Sequence, residues 1–470
     1  MIINESLMVS LLPTQWLSSI VIPLYKKSYR YVPLNYRGIH LTSVTCKVAE
    51  RLVVQHLMNF LNDNDILNVK QYGFRANHST VDQLICTYND ISRMVDGWQI
   101  VDLIFFDFSK ALDCVNHAIL ISKLHSLGIW GDILECIRAF LTGRTMKVKV
   151  GTSLSGTKPV TSGVPQGSVL GPILFLIYVN FAVNNMKCYY QIFADDTKLY
   201  LGFGMEDELG ALNEFQDSIS RLVACSSSWG LKMNIDKCVV MRFCRNRYDV
   251  QFTGVSPYHI EGKSINFVTS HSDLGVTVDR DLKFHSHINS KATTCNSMIT
   301  NIFSCILCRE EKFMLNLYKT YLRPILEYAS SLWNCGYVAD LRKLERIQRR
   351  WTRSISGLSE LPYHDRLRKL DLFSVQGRLL RADLILVYKI INNLCSINGI
   401  FIQCPLPNIR GHPHKLFKPR AQLELRRRFF NVRIIDTWNR LSSDTVTAAN
   451  INIFKSLLRR DLGDNLFQYV

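Results

Sequence analysis

Long hydrophobic runs are missing from this sequence. The most apolar stretch, Val169 to Val183, is broken by Gly171, Pro172 and Asn180. It falls short of the roughly 18 to 20 residues that cross a membrane, so no membrane-spanning segment is expected. Acidic residues are also short: 39 Asp and Glu stand against 56 Lys and Arg, a formal net charge of +17. A globular chain with that much like charge repels itself, and a polyanionic partner is the natural relief. A basic protein without such a partner is the plain alternative. Paired cysteine motifs are scarce too. The fourteen cysteines follow no framework spacing, and the one C-x-x-C, Cys305 to Cys308, sits in helical-looking sequence with no second pair near it. A structural zinc site needs four ligands, so free thiols in a reducing, intracellular setting are expected. Met1 to Asn4 lacks the basic start of a secretory leader. Repeats, low-complexity tracts and obvious linkers are absent, and no protein partner is evident.

What is present is an ordinary globular mixture, 47% apolar and 20% charged, enough for several subdomains around sizeable cores. Short strand-like sequence at Ser19 to Leu24 is followed by helical periodicity from Val44 to Leu61. Asp102 to Phe108 reads as a compact buried strand, and helical stretches follow to Leu141. Lys147 to Val150 opens a hairpin with Gly151 to Gly156 as its turn. Gly163 to Val183 reads as a turn entering a long apolar helix. Tyr189 to Phe193 and Thr197 to Leu201 flank Ala194-Asp195-Asp196, a hairpin with carboxylates at its tip. Met205 to Trp229 is an amphipathic helix and Lys237 to Phe243 a further strand. Long helices follow beyond Phe284. In one of them, at about 100° per residue, Leu341, Leu344, Ile347, Trp351 and Ile355 share a face. Arg342, Arg346, Arg349, Arg350 and Arg353 take the opposite face. A surface that tracks phosphates is favoured over a merely solvated one.

Asp107, at the end of a buried strand, and Asp195 with Asp196, at a hairpin tip, each have a plain explanation. Aspartates are common in turns and as helix caps. Together they suit a different chemistry. Joining a 3′-hydroxyl to a nucleoside triphosphate needs the hydroxyl deprotonated and the leaving pyrophosphate stabilised. Two Mg²⁺ ions, or Mn²⁺ in their place, do both, and such hard cations prefer carboxylate oxygens. Three clustered carboxylates with no metal would repel each other.

The motifs around these residues resemble the reverse transcriptases of jockey-like non-LTR (LINE-type) retrotransposons, in the same order along the chain. Asn35-Tyr36-Arg37 and Gln71-Tyr72-Gly73-Phe74-Arg75 resemble the fingers motifs. Phe106 to Asp113 resembles the first palm motif, and Ser162-Gly163-Val164-Pro165-Gln166-Gly167-Ser168 the second. Phe193-Ala194-Asp195-Asp196 is similar to the aromatic-x-Asp-Asp signature. Asn234 to Cys238 follows, and Leu274-Gly275-Val276 resembles the primer-grip strand. The stretch around Phe430, Trp438-Asn439 and Phe454-Lys455 looks like the end of such reading frames. The resemblance implies an RNA-directed DNA polymerase with an RNA template, a DNA primer or target, and dNTPs as partners. It implies Asp107, Asp195 and Asp196 as metal ligands, and Lys237 as a proton donor to pyrophosphate or a lysine merely reaching out from a strand end. Gln166 and Gly167 would lie against the nascent base pair. Arg37 and Arg75 would grip the triphosphate, where a guanidinium fork suits phosphate oxygens. A nucleus-based life follows from the family's habit and from no signal in the chain.

Departures from the family pattern are informative. Leu112 stands where a bulky aromatic usually screens the ribose 2′-hydroxyl. Gly38 and His40 replace the usual Pro and Ser, and Asp273 replaces a Tyr before Leu-Gly. The usual N-terminal endonuclease and extra finger segment are not represented. An inactive, truncated remnant that only binds nucleic acid is the alternative. An RNA-dependent RNA polymerase is disfavoured by Gln166 in Pro-Gln-Gly and by Ala194 before the Asp pair. The expected architecture is α+β, a right hand. Residues 1–101 are fingers, 102–284 an antiparallel-sheet palm (the polymerase domain spanning about 5–280), 285–356 a helical thumb and 357–470 a basic helical C-terminal region.

Overall fold

The computed structural model describes the chain apart from residues 1, 27–28, 184–185, 246–253, 406–410 and 470. In chain order the strands are β1 (Ser18–Tyr25), β2 (Tyr36–Leu41), β3 (Ile100–Phe106), β4 (Thr145–Val150), β5 (Ser153–Leu154), β6 (Lys158–Pro159), β7 (Tyr189–Phe193), β8 (Asp196–Phe203), β9 (Val239–Phe243), β10 (Gly254–Ile260), β11 (Lys263–Phe267), β12 (Ser270–Asp273) and β13 (Val276–Asp279).

β3 organises the centre. All of its residues are buried, as a nearly unbroken apolar run requires when a strand is covered on both faces. It pairs antiparallel with β8 on one edge and β9 on the other. The sheet order is β10-β11-β9-β3-β8-β7, antiparallel throughout except for β11 on β9. Strand alternation sends Val101, Leu103 and Phe105 into one core with Leu84, Tyr88 and Ile91 of the helix Thr80–Asp96. Ile104 and Phe106 enter another core with Phe215, Ile219 and Leu222 of the helix Glu208–Ser228. Each such side chain contributes about 1.5–3 kcal/mol on burial. Asp102 is the polar exception, fully buried inside the strand. Its carboxylate accepts two hydrogen bonds from the Arg242 guanidinium at 2.7 Å and a third from the Tyr258 hydroxyl at 2.7 Å. A buried charge needs that degree of pairing.

A second, smaller sheet runs β2-β1-β4-β5, with β6 on β4. A separate apolar core joins the helix Val44–Asp63, through Cys46, Ala49, Val53, Leu57 and Leu61, to the apolar helix Gly171–Val179. That apolar helix is shorter than the sequence suggests. Pro172 is tolerated only in a first turn, so the helix starts there. Asn180, just past its end, accepts from the Asn68 N–H at 2.8 Å and donates to the Ile66 carbonyl at 2.7 Å. The hairpin after β4 is also tighter than expected. β5 begins at Ser153, leaving Gly151 and Thr152 as the turn, with Gly151 at φ 59°.

The chain beyond Phe284 is helical, with His285–Cys305, Val338–Arg353, Val375–Ile391 and Ile451–Leu462 as its longest elements. The first of these stops at Cys305, so Cys308 lies in a loop and not in a helix; all fourteen cysteines are free. One apolar core runs from Leu84 and Tyr88 through Val276, Leu344, Ile347, Trp351 and Val387 to Trp438, Phe454 and Leu466. It crosses residues 356 and 357 without a break. The architecture is α+β, with a nearly antiparallel central sheet and a helical C-terminal half. Among the described residues no helix is long and apolar enough to cross a membrane.

Candidate active site

The hairpin β7–β8 pairs Phe193 with Asp196, which leaves Ala194 and Asp195 as its turn. Ala194 sits at φ 55°, a left-handed conformation that costs an L-residue about 1–2 kcal/mol. The turn is held from outside. The Gln71 side-chain oxygen accepts from the Ala194 N–H at 2.9 Å and from the Gly73 N–H at 2.8 Å. Residues 70–72 hydrogen-bond to both sides of Ile192, at 3.0 and 2.9 Å. A Cβ on Gly73 would stand 2.5 Å from the Ala194 nitrogen, so only glycine fits this approach.

β3 and β8 run side by side to Phe106 opposite Thr197. That register sets Asp107 next to the carboxylate-bearing turn. The Asp107 carbonyl accepts from the Asn234 N–H at 2.8 Å, and its carboxylate forms an ion pair with Lys237 at 3.0 Å. Burial raises the Asp195 carboxyl above the usual range, and repulsion from Asp107 adds to this, while Arg37 and Lys26 oppose it. Asp196 is pushed up to about 6, by burial first and by Asp195 next, although its outer edge still meets solvent.

Hard carboxylate oxygens suit Mg²⁺ or Mn²⁺. Among the described residues no three acidic, histidine or cysteine side chains are drawn into a coordinating cage, and Asp107 is turned onto Lys237. The repulsion carried by Asp195 and Asp196 is nevertheless what a divalent cation relieves, so the donor set fits such ions chemically.

On the other side of these carboxylates lies the β1–β2 hairpin. Arg37 is exposed opposite Leu24. Lys26 is lowered in pKa by burial, then by Arg37 and Lys237, while Asp107 and Asp113 pull it back up. Nothing in the pattern of the sequence marked Lys26, which became visible only through this mutual field. Gln166 is anchored at both ends. Its carbonyl accepts from the His40 N–H at 2.8 Å, and its amide donates to the Asp113 carboxylate at 2.8 Å. Gly167 has φ 120°, and a Cβ there would lie 2.6 Å from the His40 carbonyl oxygen. His40, a departure in the sequence, thus contacts the Pro-Gln-Gly motif through backbone alone. Leu112 is half-buried against the core that holds the helices Val44–Asp63 and Gly171–Val179, and its carbonyl accepts from the Val164 N–H at 2.8 Å. Arg75 is drawn inward: one guanidinium nitrogen donates to the carbonyls of Asn68 at 2.8 Å and Gln71 at 3.5 Å.

The arginines of the helix Val338–Arg353 are all exposed, and Leu341, Leu344, Ile347, Trp351 and Ile355 are all buried. Arg349 lies over the rings of Tyr363 and Tyr469, and Arg350 reaches Asn296 and Thr300 at 3.2 and 3.3 Å. Arg342, Arg346 and Arg353 point outward.

Residues 24–265, more than half of the chain, match the family described as reverse transcriptase (RNA-dependent DNA polymerase). The chain is 27% identical over 398 residues to the probable RNA-directed DNA polymerase from transposon BS of Drosophila melanogaster, covering 81% of this chain and 43% of that protein. It is 27% identical over 385 residues to the RNA-directed DNA polymerase from the mobile element jockey of the same fly, covering 79% and 41%. The chain therefore spans about two fifths of the length of these curated relatives. Among solved structures it is similar to telomerase from Candida albicans bound to a fragment of telomeric RNA, with TM-score 0.42, 14% identity and coverage of 74% and 65%. With Asp107, just past β3, set beside Asp195 and Asp196, and with more than half of its residues matching that family, the chain belongs to the reverse transcriptase family.

Proposed function

We propose that this chain is the RNA-directed DNA polymerase of a non-LTR retrotransposon, adding dNTPs to a primer 3′-hydroxyl on an RNA template. The observation that carries the reading is the β3–β8 register, which sets Asp107 beside Asp195 and Asp196. Asp107, Asp195 and Asp196 would hold two Mg²⁺ ions, or Mn²⁺, which supply the charge that activates the hydroxyl and stabilises pyrophosphate. Lys26 and Arg37 offer cationic groups to a triphosphate on the open side of the carboxylates. Lys237, beside Asp107, is the nearest ammonium to a leaving pyrophosphate. Gln166, fixed at both ends, and Gly167, with no side chain, leave a flat wall for a base pair. Arg75 supports this arrangement through the loop it closes.

Residues 1–101 act as fingers, 102–284 as palm, 285–356 as thumb and 357–470 as a basic flank. Arg342, Arg346, Arg349, Arg350 and Arg353 face the duplex phosphates. Binding is mainly electrostatic and carries little base readout. The intact carboxylates speak against an inert remnant. The test is primer extension on an RNA template with Mg²⁺ and dNTPs, beside Asp195→Asn. The parent should extend and the variant should not, while both bind the template. Equal extension by the two would sink the assignment of the carboxylates. Binding with no extension by either would establish the remnant. The same gel with ribonucleotides reads the sugar preference that Leu112 leaves.

A further inference from the structure

The hairpin β12–β13 lies across from the catalytic turn, and its strands pair only with each other among the described residues. Between it and the carboxylates is a cavity of about 210 Å³, with Asp107, Asp196 and Lys237 on one wall and His271, Ser272, Asp273 and Leu274 on the other. No backbone ladder joins the two walls. Side chains must therefore set their separation.

One buried contact does so. Lys198, two positions along β8 from Asp196 and on the same face, forms an ion pair with Asp273 at 2.5 Å, with each side chain only 2% exposed. The second carboxylate oxygen of Asp273 accepts from the Tyr88 hydroxyl at 2.7 Å, and the Lys198 ammonium also donates to the Gln83 side-chain oxygen at 2.8 Å. Tyr88 and Gln83 both come from the helix Thr80–Asp96 behind the sheet. Either charge alone would be costly to bury, so each residue makes sense only with the other. Asp273 is the last residue of β12 before a turn in which Leu274 and Gly275 have φ 43° and 84°. The ion pair thus grips the hairpin at its bend. Two further contacts bear on the same hairpin. The His271 ring packs against Phe105 with centroids 4.3 Å apart, and the Tyr328 hydroxyl donates to the Leu274 carbonyl oxygen at 2.7 Å.

We propose that Lys198, Asp273 and Tyr88 form a latch that positions the primer-side hairpin against the catalytic strand. They are positioning residues, their polar groups buried against one another. The inference rests on the polymerase reading for its consequence, because the primer 3′-hydroxyl must be delivered to the carboxylates across this cavity. A misplacement of about 1 Å at a reacting centre can cost on the order of 100-fold in rate.

The test uses the full chain with Tyr88→Phe, which removes one hydroxyl, and Asp273→Asn, which keeps shape and loses charge. Hydrogen exchange of residues 270–279 and equilibrium binding of a primer–template need no turnover; primer extension is measured beside them. Exchange in the hairpin should rise at least about tenfold, with the rest of the palm unchanged. Primer affinity should fall about tenfold and the primer KM rise with it, while the KM for dNTP stays within about twofold. Unchanged exchange in Tyr88→Phe would overturn the latch, and so would faster exchange with parental primer affinity. Absence of extension in the parent, with Asp195→Asn no different, would instead sink the polymerase reading, and the exchange and binding arms would still judge the latch.

Discussion

Gln71→Leu tests how the carboxylate-bearing turn is held. Leucine nearly matches the volume and loses the oxygen that accepts from Gly73 and Ala194 at 2.8 and 2.9 Å. Gln71 is 1% exposed, so water does not replace that oxygen without rearrangement. Each buried donor left without a partner costs about 1–3 kcal/mol, or about 2–6 kcal/mol for the two. The Gln71 amide nitrogen has no partner among the described residues, so losing it returns about 1 kcal/mol. The net strain of about 1–5 kcal/mol is comparable to a whole protein's margin of about 5–15 kcal/mol. It is relieved most cheaply where it arises. Ala194 leaves its left-handed conformation, its N–H turns to solvent, and Asp195 moves with it. The expected outcome is a single-nucleotide extension rate down at least about 100-fold, with a melting midpoint lowered by only a few degrees. A Leu variant that stays folded and extends within about threefold of the parent would refute the reasoning, because the turn would then keep its shape without its clamp.

Two further outcomes follow from the charges. Asp196 titrates at about 6 in the fold, against about 3.9 for an unperturbed Asp. Between those values the folded chain binds more protons than the unfolded one, so this group's contribution to stability falls as pH rises from about 4 to about 6 and is level above. The metal-free parent, compared with Asp196→Asn by melting across that window, should lose its relative stability with rising pH; a difference that does not change with pH would contradict the assignment. The triple variant Arg342→Ala, Arg346→Ala, Arg353→Ala should reduce the slope of log affinity against log salt by about 2–3, at roughly 0.7–0.9 for each phosphate no longer neutralised. An unaltered slope would mean that this face is only solvated.

How much of this was legible in the sequence depends on the range of the interaction. β3 was legible because burial on both faces demands an unbroken apolar run, and the DLIFFDF stretch supplies one. The Ala194-Asp195-Asp196 tip stood out between two strand-like runs, and the helix with Leu344 and Arg346 on opposite faces declared itself through its period. What could not be read was pairing across hundreds of residues. Asp273 looked like an isolated departure because its counter-ion, Lys198, is a residue type that strand sequence normally turns to solvent. Asp102 looked like the edge of a strand and lies at its buried centre, since Arg242 and Tyr258 arrive from elsewhere to neutralise it. Gln71 was visible as part of a motif, but its grip on Ala194 required a loop to be laid along β7. The continuity of the C-terminal half with the core behind the central sheet was hidden for the same reason: periodicity tells that a helix has an apolar face, and not which face it meets.

That continuity has a consequence for how the chain folds as it is made. The helix behind the catalytic sheet is tied to the far end of the chain. Asp96 accepts from the Leu423 N–H at 2.7 Å across 327 residues of sequence, and Arg426 donates to the Asn89 side chain at 3.0 Å. During synthesis at about 5–20 residues per second, the sheet and its aspartates emerge on the order of tens of seconds before the segment that ties this helix down. In that interval the helix Thr80–Asp96 already backs the strands, but its outer face lacks the C-terminal helices that cover it. Packing of that helix is thus completed only when residues 424–427 arrive, and a chain interrupted before them carries every motif of the active site with the outer face of its backing helix partly uncovered.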